Sequence, residues 1–324
     1  MALTEKLTNI ANAIRAKTDT TDKLTLDQMP GMIEGIETGG TGAKYKPRFI
    51  SFESYTGTEL DYELANLDTS LMTKMDRMFY ANSKITSLDV SGFDISNVTS
   101  LNNTFGNCTS LKTLNLTGWD TSKVTNMQST FSACRQLKTL DISHFDTSNV
   151  TRMYNMFNDN RNTLEFNLTN FNTAKVVNMG YMFKDCYYTT KFDLSSFNTA
   201  LVQDMSYMFN NCYTVTSIDL SNFTSEALLN VSNMFYGCSK LESVDISGME
   251  GLKVTNTYNM FYNCKLLKHI DMRKFDFSKV TSYNNMFYNV PVDCEIIVKD
   301  ETAKAWVLAR RADLTNVKTV AELG

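Results

Sequence analysis

Histidine, proline and tryptophan are scarce in this chain: 324 residues hold two histidines, three prolines and two tryptophans. His144 and His269 stand 125 residues apart, and neither has neighbours suited to nucleophilic catalysis. None of the seven cysteines forms a Cys-x-x-Cys pair, the short spacing that zinc sites favour. The net charge is −4 with no basic run, so there is no electrostatic basis for a nucleic acid or an anionic membrane as partner. No apolar stretch approaches the ~18 residues that a spanning helix needs, so no membrane insertion is expected. The opening Met1-Ala2-Leu3-Thr4-Glu5-Lys6 lacks the apolar core of a secretory signal. Together these absences predict a protein that is not an enzyme, has no cofactor and holds no metal.

Phenylalanine, by contrast, recurs with strict regularity. Phe79, Phe105, Phe131, Phe157, Phe183, Phe209, Phe235, Phe261 and Phe287 each follow the last by 26 residues. A fixed period of this length is the mark of a repeat array. Counting from each Phe as zero, position +3 is Cys in six units (Cys108, Cys134, Cys186, Cys212, Cys238, Cys264) and Asn in two (Asn82, Asn160). Positions +9 and +11 are apolar, as in Leu88/Val90 and Ile218/Leu220, and +14 is aromatic in most units, from Phe93 and Trp119 to Phe275.

Each unit combines two periods. Alternation around +9 and +11 predicts a short strand. Apolar residues at +19, +22, +25 and +26, such as Val150, Met153, Met156 and Phe157, predict a short amphipathic helix. The Thr at +20 (Thr99, Thr125, Thr151, Thr255, Thr281) is then its expected N-cap. One strand and one helix cannot bury an apolar face alone, but stacked copies can, with parallel strands ~4.8 Å apart. On that spacing the two histidines lie ~23 Å apart, too far to share a site. The expected fold is therefore α/β, a solenoid of 26-residue repeats of one short parallel strand plus one short helix. A degenerate repeat opens it near residue 53, and Ile296 and Val298 supply the last strand. A helix near 301–312 is expected to cover the end with Trp306 and Leu308.

The run Phe131…Cys134…Leu137…Leu140-Asp141-Ile142-Ser143, continued by Phe145-Asp146-Thr147-Ser148-Asn149-Val150-Thr151, resembles the BspA-like leucine-rich repeats, related to the Treponema type. The resemblance covers residues 50–300 and departs from the Treponema pattern in lacking a proline after the strand. It implies an adhesin or interaction module.

Residues 1–38 lie off the grid. Leu3, Leu7, Ile10 and Ile14 are spaced as one helical face, a second short helix is expected around Leu24–Ile36, and Gly39-Gly40-Thr41-Gly42 reads as a joint. The expected organisation is a helical attachment segment at 1–38, a flexible linker at 39–47, the leucine-rich-repeat solenoid at 48–300 and a C-terminal cap at 301–324. The stretch Ile10–Thr18, with Asp27-Gln28-Met29-Pro30 and Ile33–Ile36, resembles a segment of phage tail and receptor-binding proteins of Gram-positive hosts. It implies a virion tail component that docks to other tail proteins through residues 1–38, with a possible homotrimer. The ending Val320-Ala321-Glu322-Leu323-Gly324 carries no cell-surface anchor, which favours that reading. The alternatives are a BspA-like adhesin on the bacterial cell surface and a virion decoration without ligand.

The cysteine column reads as buried reduced thiols that bond the loop backbone, with Cys294, off the grid, as the one exposed thiol. The acidic column at +10 (Asp89, Asp141, Asp193, Asp219, Asp245, Asp271) suits hydrogen bonding with Ser/Thr at +12, with calcium as the alternative. Variation concentrates at −3, −2, +1, +2, +4 and +5, where Tyr, Asn, Ser, Gly and charged residues alternate, the mixture common on binding surfaces. Candidate ligand residues are Tyr154, Tyr181, Tyr187, Tyr188, Tyr207 and Tyr213, then a second stripe of Tyr236, Tyr262 and Tyr288. Stacked aromatics beside polar groups suit a bacterial surface glycan, or a protein. Tyrosines stacked only to stabilise the array are the alternative, and the strand face with Lys112, Lys138, Lys191 and Arg273 is a rival site.

Overall fold

The computed structural model describes residues 50–55, 60, 64 and 67–324. The attachment segment, the linker and the trimer expected from residues 1–47 lie outside them. The described chain winds into a parallel β-solenoid with one repeat per turn. Its strands are β1 (Ser87–Asp89), β2 (Thr113–Asn115), β3 (Glu165–Phe166), β4 (Lys191–Phe192), β5 (Ser217–Asp219), β6 (Ser243–Asp245), β7 (His269–Met272), β8 (Glu295–Val298) and β9 (Val317–Thr319). They form parallel sheets β1-β2, β3-β4 and β5 to β9. From β1 to β8 each pairing joins residues 26 apart, as in Leu88 to Leu114 and Val244 to Ile270. The repeat starting at Phe131 has no regular strand. The array also does not end on β8, because β9 pairs with it in parallel.

The core is the phenylalanine column. From Phe52 through Phe79 to Phe287, neighbouring rings lie 5.2–5.9 Å apart with planes within 11°, the offset-stacked geometry that aromatic pairs favour. Met78, Met156, Met182, Met208 and Met234 pack beside it, fully buried.

The short helix expected in every repeat does not form. From Leu67 onward the only α-helix among the described residues is α1 (Glu301–Leu308), N-capped by Asp300, whose side chain accepts from the Ala303 N–H. Around Phe79 alternate peptide groups instead bond in two directions. Met75, Arg77, Phe79 and Ala81 donate to Ser100, Asn102, Thr104 and Gly106 of the next repeat, while Met78, Tyr80 and Asn82 donate back to Met75, Arg77 and Phe79. These seven N–H groups find partners without a helix, which is what burial requires of them. The backbone turns left-handed at −2 and +2 in all nine repeats, as at Asn103 (φ 55°) and Asn107 (φ 60°). Spacing of 3, 3 and 1 puts the same side chains inward in either geometry, which is why the apolar pattern alone suggested a helix.

The Thr at +20 is likewise no N-cap. Thr99, Thr125, Thr151 and Thr281 donate their hydroxyls to the +20 carbonyl of the preceding repeat at 3.1–3.3 Å. A second, buried threonine ladder at +16 points the other way: Thr69, Thr121, Thr147, Thr173 and Thr199 donate to the following repeat at 2.8–3.0 Å. At the C-terminal end Trp306 of α1 stacks on Phe277 at 4.3 Å, and Leu308 packs against the core.

Candidate functional site

All seven cysteines are free and buried. Each grid cysteine donates its S–H to the carbonyl of the preceding repeat's Phe, from Cys108 to Phe79 at 3.1 Å through Cys264 to Phe235 at 3.0 Å. Burial pushes the thiols of Cys108 and Cys238 up to about 12, so they are poor nucleophiles at neutral pH. Cys294 is not exposed: it is 1% accessible, and burial raises its thiol to about 12. The turn closed from Cys294 N–H to the Pro291 carbonyl shifts the loop by one residue, so Cys294 fills the buried place that Leu267 takes one repeat earlier.

The acidic column is occupied by local bonds. Asp89, Asp141 and Asp193 each accept the N–H and the hydroxyl of the serine two residues on, and these bonds, serine hydroxyl first, hold the carboxyls below their ordinary range. No cluster of three or more His, Cys, Asp or Glu suited to a metal occurs among the described residues. The histidines are engaged separately, His144 with the Leu116 carbonyl at 3.0 Å and His269 with Glu295 at 2.9 Å. Among the described residues no helix is long and apolar enough to cross a membrane.

The tyrosines assemble into three rails. At −3/−2 the rings of Tyr154, Tyr181 and Tyr207 follow at 5.3 and 4.5 Å. At +4 Tyr187 stacks on Tyr213 at 4.8 Å. At +1 Tyr236, Tyr262 and Tyr288 stack at 4.8 and 4.7 Å with planes within 14°. Tyr188 joins no stack but is 54% exposed, and Tyr288 is 48% exposed. Burial, and then neighbouring tyrosine and aspartate charges, raise the phenols of Tyr181 and Tyr187, so both are neutral hydrogen-bonding groups at physiological pH.

Two of these positions carry a conformational cost. Tyr181 (φ 60°) and Tyr207 (φ 58°) sit at −2, in the left-handed region, where five other repeats place Asn. Asn reaches that region readily and bulky residues do so at roughly 1–2 kcal/mol each. Variation at −2 and +2 is therefore first a backbone requirement, satisfied by Asn, Asp or Gly in most repeats; the exceptions are Arg77, Ala81, Ser129, Ala133 and the two tyrosines, the only aromatic residues among them. On the rival strand face Arg273 is engaged by Asp271.

Three overlapping matches, to residues 51–137, 99–217 and 187–297, align the chain with the family described as "Mycoplasma protein of unknown function, DUF285". The chain belongs to this family. Its description names no activity. Comparison with curated proteins gives no match. Among solved structures the chain is similar to the pneumococcal vaccine antigen PcpA (13% identity, TM-score 0.35, 77% of each chain covered). It is also similar to a leucine-rich cell surface protein from Faecalibacterium prausnitzii (13%, 0.29, 89% of this chain and 87% of that one). A third is the functional domain of InlJ from Listeria monocytogenes, which includes a cysteine ladder (14%, 0.21, 83% and 62%). Likenesses this distant carry no functional argument.

Signals for the left-handed turns were present in the sequence as paired Asn four residues apart (Asn103/Asn107, Asn259/Asn263, Asn285/Asn289). A second group was not foreseen: Tyr283 and Arg310 beside Trp306. No repeat marks it, because it arises where the C-terminal segment docks on the last turn.

Proposed function

We propose that this DUF285 chain is a non-enzymatic recognition solenoid, an adhesin-type module whose tyrosine rails bind a bacterial surface ligand, with glycan as the first candidate. The observation that carries this reading is the placement of Tyr181 and Tyr207 at left-handed positions, where Asn serves the fold at lower cost. Strained side chains held in place by their surroundings concentrate at functional sites, and a rigid tyrosine offers contact area at little entropic cost. Within each rail, rings spaced at 4.5–4.8 Å form a short aromatic strip. The phage-tail reading rests on residues 1–38, outside the described residues, and none of the comparisons supports it; the proposal does not depend on it. The test is binding of the fluorescently labelled full chain to a panel of bacterial cells and to cell-surface glycans extracted from them. Saturable binding to a subset of strains, carried by the glycan fraction, is expected. A folded chain that binds no strain would leave the rails as stabilising ladders only.

A further inference from the structure

The +1 rail ends in a cleft between the last turn and the C-terminal cap, lined by Tyr258, Tyr283, Asn285, Tyr288, Arg310 and Arg311 among others. Tyr283 occupies the −4 position, where most earlier repeats place a core methionine such as Met153 or Met179. Its half-buried ring meets Trp306 edge-on at 5.6 Å. The Arg310 guanidinium lies 3.9 Å from the Trp306 ring centre and 4.3 Å from that of Tyr283, and one of its nitrogens donates to the Trp306 carbonyl at 3.0 Å.

The two arginines differ in their pairing. Arg311 is held by Asp313 and by the Phe287 and Val290 carbonyls, so its charge is compensated and it secures the cap. Arg310 is exposed and forms no ion pair among the described residues. Two aromatic rings fix its plane, which leaves its remaining N–H edge directed by packing rather than by a counter-ion. A pre-oriented guanidinium binds a planar or tetrahedral anion through two parallel hydrogen bonds. Beside it Tyr288, with Tyr262 and Tyr236 behind it, offers flat surface for sugar rings.

We infer that this cleft is a subsite for an acidic glycan, with the carboxylate or phosphodiester of one residue on Arg310 and neighbouring sugar units along Tyr288 and Tyr262. The inference deepens the proposed function and rests on it for the rail. Trp306 reports on the site directly, since it lies against Arg310, while Trp119, the other tryptophan, is buried in the array. The full chain is titrated with polygalacturonate, a phosphodiester-bearing phosphomannan, a neutral galactan and poly-glutamate while tryptophan fluorescence is followed.

At least one of the two anionic glycans is expected to change the signal saturably, and the carboxylate and phosphate arms show which anion fits. Affinity is expected to fall about tenfold or more in Arg310→Gln and in Tyr288→Ala, with an intermediate loss in Arg310→Lys, which keeps the charge but not the fork. Thermal melts of the variants confirm folding, and Tyr288→Ala carries the test if the arginine variants lose the cap. No response to either anionic glycan, unchanged affinity in the folded variants, or equal binding of the neutral galactan would overturn the inference. Equal binding of poly-glutamate would overturn it in favour of an acidic protein partner. Cell binding by the wild type that persists undiminished in Arg310→Gln would remove this subsite alone, whereas absence of any cell binding would remove the wider proposal.

Discussion

The asparagine at position +3 makes a sharp test of how the buried column works. In a cysteine repeat the sulfur has two roles: Cys186 donates its S–H to the Phe157 carbonyl at 3.3 Å and takes the backbone N–H of Asn160. Asn160 fills only one of them. Its Oδ1 accepts the Cys134 N–H at 3.0 Å, but its Nδ2 is buried without a partner in a side chain that is fully inaccessible. A buried unpaired donor costs about 1–3 kcal/mol, and exchanging an N–H···O bond for a weaker N–H···S one offsets about half of that. Asn160→Cys, at a backbone that six other repeats already match to cysteine, is therefore expected to stabilise by about 1 kcal/mol. In an array of this size that corresponds to about 2 °C in Tm. The reverse change, Cys212→Asn, removes the S–H that donates to the Phe183 carbonyl for an amide whose Nδ2, like that of Asn160, is left unpaired, and is expected to lower Tm by a similar amount. Calorimetry and urea unfolding under reducing conditions measure both. A lower Tm for Asn160→Cys, or a higher one for Cys212→Asn, would refute the assignment of roles in the column.

Three further outcomes follow from the same geometry. With every thiol buried and those of Cys108, Cys238 and Cys294 at about 12, an aromatic disulfide reagent at pH 8 should find almost no reactive thiol in the native chain and seven after denaturation. Rapid reaction of one native thiol would point to Cys294 and contradict its burial. The serine-bonded carboxyls of Asp89, Asp141 and Asp193 have folded values below the ordinary one. Their contribution to stability is thus complete above about pH 4 and lost as pH falls through the lowered values, and removing the three serine hydroxyls should flatten the acid limb of a Tm–pH curve. A Cβ on Gly248 would stand 2.2 Å from the Ser221 carbonyl oxygen and 2.6 Å from that of Phe223. Gly248→Ala should therefore cost about 1–3 kcal/mol, and an unchanged urea midpoint would show that this loop yields freely.

Much of the architecture was legible because one residue, the Phe of each repeat, anchors everything at a fixed interval. Leu88/Val90 and their counterparts announced the strands, and Cys108 to Cys264 announced a buried column. The turn ladder was hidden because Met153, Met156 and Phe157 face inward in a helix and in alternating turns alike. Only the residues that point outward separate the two, through their tolerance of positive φ, and Asn103 with Asn107 is that signal. Cys294 was misjudged because a one-residue shift at Pro291 moves it into a core slot. Of the candidate site, the tyrosine rails follow from the grid, since equal positions in adjacent repeats must stack. The Tyr283–Trp306–Arg310 group does not, because docking of a non-repeating segment sets it.

On the proposed function the tyrosine rails, and not the strand face, carry recognition. Its most direct test compares cell binding of two folded variants of the full chain. In one, Tyr181 and Tyr207 become Asn, the residue that five repeats already hold at that left-handed position, and Tyr187 and Tyr213 become Ser. In the other, Lys112, Lys138 and Lys191 on the strand side become Ser. The rail variant should lose binding at least tenfold with its Tm kept, while the strand variant binds as the wild type does. Full binding by the rail variant together with loss in the strand variant would contradict it and move the site to the sheet.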